Sequence, residues 1–319
     1  IVSKTISQSQ QVAENLAELR VDQAAAELFP DYSRGRLQQW IKQGDLTVNG
    51  KQVKPSFRLL GGETLQIETE MIPEGEVVPQ DIPLDVVFAD EHLLVVNKPV
   101  GLVVHPAAGN WDGTLQNALL NYDPQLDTLP RSGIVHRLDK DTSGVMVVAR
   151  SLKAHASLVN QLQTRTMSRV YEAVVKGEIP PAGTIDAAID RNPRDRKKMT
   201  VIKNGKSAVS HYQLKQRLPG TSHVEVSLES GRTHQIRVHM THIGYPIVGD
   251  RLYGRGPIKQ KGLPKEAIVA INGFPRQALH ARTLKLVHPQ SGDTCSFSAP
   301  LADDMAELIT TLQNARDNA

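Results

Sequence analysis

A segment rich in proline and acidic residues divides this 319-residue chain into two unequal parts. The segment MIPEGEVVPQDIP, residues 71–83, contains three prolines and three acidic residues. Proline continues neither a helix nor a central strand, so this composition is typical of a linker between domains. The sequence therefore predicts a small domain over residues 1–75, a linker over residues 76–84 and a larger domain over residues 85–319.

In the small domain, two short helical patterns precede a set of short strands. Asp22 is predicted to cap the helix QAAAELF, which Pro30 ends, and Ser33 is predicted to cap the helix RGRLQQWIKQ. The turn Asn49–Gly50 between LTV and KQV predicts a β-hairpin. The pattern is two helices followed by a small sheet.

The larger domain has a mixed pattern of strands and helices. Apolar residues alternate in RVYEAVVKG and in HVEVSLESG, which predicts strands. Ile236, Met240 and Ile243 recur at helical spacing, so a helix is predicted with Thr233 as its cap and Gly244 at its end.

The composition argues against several classes of protein. The sequence has no run of about 18 apolar residues, so no membrane span is expected. The first residues, IVSKTISQSQQ, lack the apolar core of a secretory signal. The single cysteine, Cys295, cannot form an internal disulfide or a thiolate metal site, which fits a cytoplasmic location. The net charge of +3 is compatible with a polyanionic partner but does not require one.

The most unusual motif is the charged stretch HRLDKDTSG, residues 136–144, between the apolar runs SGIV and VMVVA. One interpretation is a solvated loop with an ion pair. A second is a calcium loop, because Asp139, Asp141 and Ser143 match the first alternate positions of an EF-hand. That match fails at the twelfth position, where Arg150 replaces the required glutamate.

A third interpretation of HRLDKDTSG is catalytic. Nearby basic groups would keep the Asp139 carboxyl ionised, and a tight turn would aim it. Such chemistry needs partners from elsewhere in the chain, and the candidates are Tyr171 in RVYEAVV and Arg237 in GRTHQIRVH.

Five histidines are candidate metal ligands. They are His105, His136, His234, His239 and His242. Neither a zincin spacing nor a carboxylate ligand accompanies them, so we expect structural histidines and no metal.

HRLDKDTSG resembles the active-site motif of the RluA-type pseudouridine synthases. Further segments resemble that family in the same order: NKPVGLVVHP, RVYEAVVKG, GRTHQIRVHM, PIVGDRLYG and QALHARTLKLVHP. The N-terminal part resembles the alpha-L (S-four-type) RNA-binding domain. The resemblance covers nearly the whole chain. It implies an α+β fold in which a mixed, largely antiparallel β-sheet is flanked by helices and loops.

The resemblance also implies roles for individual residues. Asp139 is expected to be the nucleophile, and Arg237 is expected to pair with it. Tyr171 is expected to lie against the uracil ring, with Ile236 packed against this aromatic ring. Arg137 is expected to fill the gap that a flipped base leaves in the RNA. The family chemistry implies no cofactor.

The expected partner is large-subunit ribosomal RNA, either free or within a pre-ribosomal particle. The resemblance points to the hairpin called helix sixty-nine as the target, and to a monomeric isomerase. Two alternatives remain: the same chemistry on other ribosomal or transfer RNA uridines, and a non-catalytic RNA-binding factor for ribosome assembly. The intact set Asp139, Tyr171 and Arg237 favours the enzyme.

Two groups of basic residues are predicted to contact RNA. The first lies in RNPRDRKKM and consists of Arg194, Arg196, Lys197 and Lys198. The second is Arg34 and Arg36 at the start of a helix, where the helix dipole disfavours cations and an outside anion is therefore suggested. Contacts of this kind make RNA binding fall steeply with salt.

Overall fold

A computed structural model describes residues 4–30, 32, 34–71, 77–107, 110–254, 256–258 and 261–317. Ser33, the predicted cap of the second helix, lies outside the described residues, and so does the side chain of Arg36. The chain divides into two compact units, Ile1–Glu76 and Val77–Ala319. Apolar residues from the predicted linker, Val77 and Ile82 among them, pack against the core of the second unit.

The first unit combines two helices with a small antiparallel sheet. Its elements are β1 (Lys4–Gln11), α1 (Val21–Leu28), α2 (Arg34–Gln43), β2 (Leu46–Val48) and β3 (Thr64–Met71). The strand order is β1-β3-β2. Asn49 and Gly50 form the predicted turn, but KQV contributes only a single bridge, between Lys51 and Val48. The partner of β2 is β3.

Asp22 does not cap α1, contrary to the sequence prediction, because Arg20 is the residue before the helix. Asp22 is fully buried inside the helix and accepts hydrogen bonds from Arg20 Nε (3.0 Å), Arg34 Nη2 (2.8 Å) and Gln38 Nε2 (2.6 Å). Burial raises the pKa of this carboxyl, but the hydrogen bonds and charge of its neighbours lower it overall. The acid therefore joins α1 to α2.

The second unit contains the remaining strands and helices. The strands are β4 (Val86–Ala89), β5 (Leu93–Lys98), β6 (Ser143–Ala149), β7 (Ser168–Lys176), β8 (Ala182–Asp186), β9 (Ile189–Arg191), β10 (Met199–Val201), β11 (Val209–Leu218), β12 (Thr221–Leu228), β13 (Leu279–Val287) and β14 (Thr294–Ser298). The helices are α3 (Leu115–Tyr122), α4 (Leu152–Gln163), α5 (Gln235–His242), α6 (Lys265–Gly273) and α7 (Asp303–Asp317).

Within the described residues, nine of these strands form one mixed sheet. Its order is β4-β5-β6-β13-β7-β12-β11-β8, and β14 pairs with β13. Only β6 and β13 run parallel, and the other neighbours are antiparallel. The predicted α+β fold with a largely antiparallel sheet is confirmed. No helix among the described residues is long and apolar enough to cross a membrane.

Strands β6 and β7 form the middle of the core. Every residue of β6 is buried, and so are most residues of β7, which means that both faces of the sheet are covered there. The run SGIV before the charged stretch is not a strand; it contributes a single bridge, between Ile134 and Val148. Residues 136–142 are consequently a loop that leads into β6.

Gly144 lies where β6 begins to pair with β13. Its φ of +116° lies outside the range that other residues favour, and a Cβ atom there would lie 2.2 Å from the Ala281 oxygen. Because a backbone atom blocks the space, the two strands can approach only around a glycine.

We expect Gly144→Ala to lower the free energy of unfolding by about 4 kcal/mol, because neither strand can move aside without breaking the sheet. Gly292→Ala is the matched control, since Gly292 also has a positive φ of 78° but no atom close to the Cβ position. It is expected to cost about 1–2 kcal/mol from backbone strain alone. Urea denaturation of both variants measures the difference, and equal losses would contradict the packing argument.

Candidate active site

A cavity of about 960 Å³ opens beside the loop 136–142. Strand β7 and the start of α5 supply other parts of its wall. Five residues that the sequence singled out line it together: Arg137, Asp139, Tyr171, Ile236 and Arg237. The structure thus brings into one place residues that are up to a hundred positions apart in the chain.

Asp139 and Arg237 are directly paired. Arg237 Nη1 donates to Asp139 Oδ2 at 2.9 Å. The arginine side chain is 9% exposed and the aspartate side chain 20%, so the carboxylate is reachable from the cavity while its partner is buried. The pair therefore joins a reachable carboxylate to a buried cation.

Asp250 holds the other edge of the Arg237 guanidinium. Arg237 Nε and Nη2 donate to its two oxygens at 2.7 and 3.0 Å, a bidentate arrangement that fixes the guanidinium plane. The backbone N–H groups of Leu252 and Tyr253 donate to Asp250 Oδ1. Burial lowers the pKa of Arg237, but hydrogen bonds and charge from Asp250, then Asp139, raise it overall. Arg237 therefore remains a fixed cation.

Asp250 is not among the site residues predicted from the sequence. The only signal for it was its position within PIVGDRLYG, one of the segments that carried the family resemblance. An aspartate in a turn has many ordinary explanations, and only the folded chain shows that its side chain is fully buried against Arg237.

A second contact to Asp139 comes from His234, whose Nε2 lies 3.8 Å from Asp139 Oδ1. Its Nδ1 is 2.9 Å from the Tyr253 hydroxyl, which accepts a hydrogen bond from the Met199 N–H. Burial lowers the pKa of His234, while the charge of Asp139 opposes this. His234 was considered in the sequence only as a metal ligand.

His234 also corrects the predicted start of α5. The residue before the helix is His234, not Thr233, and its backbone is left-handed with φ of 57°. Strained backbone of this type is often found at functional sites, where the surroundings hold it in place. The strain places the imidazole beside Asp139 instead of on the helix surface.

Tyr171 projects from β7 into the wall of the cavity and is 7% exposed. Burial raises the pKa of its hydroxyl, with the charge of Arg169 opposing and that of Asp139 assisting. Ile236, 4% exposed, belongs to the same apolar cluster. These two side chains give the cavity an apolar wall, while Arg137 is exposed at its surface.

The far end of the loop is fixed by Lys98, which is fully buried at the end of β5. Its Nζ donates to the carbonyl oxygens of Pro99 (2.8 Å), Leu102 (3.0 Å) and Lys140 (3.0 Å). Lys98 therefore holds the residue next to Asp139, and its full burial keeps it from contacting an RNA phosphate.

More side chains secure the end of the loop. Arg276 Nη1 donates to the Asp141 carbonyl at 3.1 Å, and Gln277 Nε2 donates to Thr142 Oγ1 at 3.2 Å. Ser143 Oγ lies 2.9 Å from His280 Nδ1. Since these contacts come from the segment around β13, the loop 136–142 is tied to the centre of the sheet.

The basic residues predicted to contact RNA fall into two structural settings. Arg194, Arg196, Lys197 and Lys198 lie in the loop between β9 and β10, where Lys198 Nζ is 3.6 Å from Asp195. Arg34 begins α2, and its guanidinium binds Asp22 while half of its side chain remains exposed.

His136 and His239, two of the candidate metal ligands, are bound by other protein groups. The Val147 N–H donates to His136 Nε2 at 3.0 Å, which requires an unprotonated nitrogen, and burial lowers the pKa of His136 to about 3. His239 contacts Ser210 Oγ and the Ala187 oxygen. Across the described ranges, no group of three or more histidine, cysteine, aspartate or glutamate side chains is arranged to hold a metal ion.

Comparisons with known proteins agree with the fold. The family model described as RNA pseudouridylate synthase matches residues 92–242, and the S4 domain model matches residues 19–65. A Xanthomonas campestris protein named ribosomal large subunit pseudouridine synthase D is 52% identical over 95% of this chain and 91% of its own length. A Pseudomonas aeruginosa protein of the same name is 50% identical over 99% of both chains. The solved structure of human RNA pseudouridylate synthase domain containing 4 has a TM-score of 0.57 at 25% identity, covering 72% of this chain and 93% of that one.

The chain belongs to the RNA pseudouridylate synthase family. It is therefore an isomerase with an N-terminal S4 domain of the RNA-binding type. The resemblance inferred from HRLDKDTSG and its companion segments is confirmed.

The buried Lys98 predicts a pH dependence of stability. Burial lowers its pKa from 10.5 to about 7, against the opposing charges of Asp141 and Asp139. Between these values the unfolded chain binds more protons than the folded chain, so the free energy of unfolding rises as the pH rises through this window. We expect wild type to gain about 2–4 kcal/mol relative to Lys98→Met between pH 7 and pH 10. Urea denaturation across this range measures the difference, and a constant difference would contradict the depressed pKa.

Proposed function

We propose that this isomerase converts uridines to pseudouridine in large-subunit ribosomal RNA, with the helix-sixty-nine hairpin as its target. The observation that carries the chemistry is the partly exposed Asp139 carboxylate, held at 2.9 Å by an arginine that Asp250 locks in place. The relatives named ribosomal large subunit pseudouridine synthase D, about 50% identical over nearly the whole chain, support the choice of RNA.

Asp139 is the reactive group in this proposal. It acts on the bound uridine, the glycosidic carbon–nitrogen bond breaks, and the uracil turns and rejoins the sugar through carbon. Attack at the anomeric carbon, attack at the base and assistance of elimination all need a carboxylate that is ionised and aimed. The contact with Arg237 places a cation beside this carboxylate and fixes one of its oxygens.

The apolar wall formed by Tyr171 and Ile236 suits a base that must rotate during the reaction. A ring stacked on an aromatic face can turn in its plane, whereas several fixed hydrogen bonds would hold it in one orientation. Both residues are almost fully buried, so their position is set by the core of the sheet.

A uridine within folded RNA must leave its stack before it can reach Asp139, which costs a few kcal/mol. Arg137 is exposed two residues before Asp139 and is well placed to occupy the space that the base leaves. Its planar guanidinium can stack on the neighbouring bases. Arg194, Arg196, Lys197 and Lys198 would bind phosphates farther along the RNA, and Arg34 and Arg36 of the S4 domain would add a second contact.

The sequence leaves two alternatives to this proposal. A purely non-catalytic assembly factor conflicts with membership of an isomerase family and with the assembled Asp139–Arg237 pair. The same chemistry on other ribosomal or transfer RNA uridines shares the site and is separated from our proposal only by experiment. We further propose that the enzyme acts as a cytoplasmic monomer on free RNA or on a pre-ribosomal particle.

The proposal is tested by mapping pseudouridine in cellular RNA. Cells lacking the protein are complemented with wild type, with Asp139→Ala or with Asp127→Ala, an exposed aspartate away from the cavity. We expect wild type and Asp127→Ala to restore the marks in helix sixty-nine, and Asp139→Ala to restore none because it lacks the reactive carboxylate. Marks restored by Asp139→Ala would refute the nucleophile, and marks that change only in transfer RNA would refute the target.

A further inference from the structure

The cavity carries more positive charge than the reaction at Asp139 requires. Six arginines line it among the described residues: Arg131, Arg137, Arg165, Arg169, Arg232 and Arg237. Two carboxylates line it in the part of the chain that the structure describes, Asp139 and Glu229, and each is already paired. Asp139 binds Arg237, and Glu229 binds Arg165 at 2.9 Å.

Arg169 is the exceptional member of this group. It lies on β7 and is only 8% exposed, yet no carboxylate within the described ranges is paired with it. Its Nε is buried and donates to no described atom. Arginine does not give up its proton in proteins, so this site holds a buried positive charge for which the described residues supply no carboxylate. A buried charge of that kind is strongly unfavourable unless an anion accompanies it.

Gly231, which has no side chain, leaves room for the guanidinium of Arg169. A Cβ atom on Gly231 would lie 2.3 Å from Arg169 Nη1. Gly231 lines the same cavity, just before α5. The guanidinium therefore rests against bare backbone and can reach the cavity, and a Cβ atom at position 231 would require the head group of Arg169 to shift.

Arg169 and Tyr171 are two residues apart on β7, so both side chains point to the same face of the sheet, roughly 7 Å apart along the strand. A uracil against Tyr171 is neutral and cannot compensate the charge of Arg169. The phosphodiester group of the same nucleotide is an anion, and a guanidinium binds phosphate through two parallel hydrogen bonds. The chemistry of the subsite thus matches the backbone of a flipped nucleotide.

We propose that Arg169, backed by Gly231, forms a phosphate subsite that binds the phosphodiester group next to the target uridine. The inference rests on the proposed function, because it takes RNA to be the occupant of the cavity. In this arrangement Arg169 fixes the sugar–phosphate part of the nucleotide while its base remains free to rotate against Tyr171.

The first test compares Arg169→Met with Arg316→Met in single-turnover pseudouridine formation on purified large-subunit ribosomal RNA. Arg316 is an exposed arginine at the end of α7, paired with Asp317. We expect Arg169→Met to lower the rate at subsaturating enzyme roughly ten- to a hundredfold. The plot of log affinity against log salt has a negative slope, and its magnitude should decrease by about 0.7–0.9, which corresponds to the loss of one phosphate contact. Arg316→Met should match wild type.

Gly231→Ala gives a second variant that keeps the charge of Arg169 but displaces its guanidinium. We expect the rate to fall and the salt dependence of binding to become less steep, although no charge has been removed. Circular dichroism and urea denaturation show whether each variant is folded. An unchanged salt slope in both folded variants would overturn the proposal.

The second test identifies the phosphate. Short uridine-containing RNAs carry a neutral methylphosphonate at one linkage on either side of the target uridine, and binding is measured without requiring catalysis. We expect the methylphosphonate at one of the two linkages to weaken RNA binding to wild type. It should not weaken binding to Arg169→Met, because this variant has already lost the contact with that phosphate. Equal weakening in both proteins would overturn the subsite.

Inorganic phosphate distinguishes the two sources of such an anion. If phosphate binds wild type through Arg169 but neither methylphosphonate RNA is affected, the site holds a free anion and the RNA assignment is wrong. Failure of the proposed function looks different: wild type then forms no pseudouridine in ribosomal RNA, while the binding comparison still reports on Arg169.

Discussion

The ion pair between Arg237 and Asp250 is the interaction on which the site depends. Asp250 is fully buried and receives two backbone N–H groups in addition to the guanidinium, so its position is set by the fold. Arg237 then has one nitrogen left to point at Asp139. The buried Asp250 carboxylate thus orients the buried Arg237, and Arg237 in turn orients Asp139. Asp139 is the most exposed of the three side chains.

The loop that carries Asp139 is held mainly through its backbone. Lys98 binds the Lys140 carbonyl, and Arg276 binds the Asp141 carbonyl. Both side chains are buried and come from the ends of sheet segments, so side chains in the loop remain free to face the cavity. This arrangement explains how a nine-residue stretch with so many charges can be ordered while Arg137 stays exposed. Gly144 completes it, because only a glycine lets β6 approach β13 where the loop ends.

Much of this architecture was predictable from sequence, for identifiable reasons. The alternation in RVYEAVVKG and HVEVSLESG correctly placed two central strands, and ordered family-like segments pointed to Asp139, Tyr171 and Arg237. Rules for helix starts failed where tertiary contacts determine the local structure. Asp22 belongs to a residue type that often caps helices, but here it lies within the helix and binds Arg34. The residue before α5 is His234, with a left-handed backbone, and not Thr233. Asp250 and Arg169 were missed because their importance lies in what they face. The burial of Asp250 against Arg237 and the absence of a described acceptor for Arg169 Nε cannot be read from the sequence.

The account rests on the claim that the Arg237–Asp250 pair aims the Asp139 carboxylate. The most direct test is the single-turnover rate of pseudouridine formation by Asp250→Asn, with RNA affinity measured in parallel and Asp186→Asn, an exposed aspartate, as control. Asparagine keeps the shape but loses the charge that fixes the guanidinium, and small misplacements of a reacting group cost about a hundredfold. The account predicts a rate lower by about that factor with unchanged RNA affinity. A folded Asp250→Asn enzyme that reacts at the wild-type rate would contradict it.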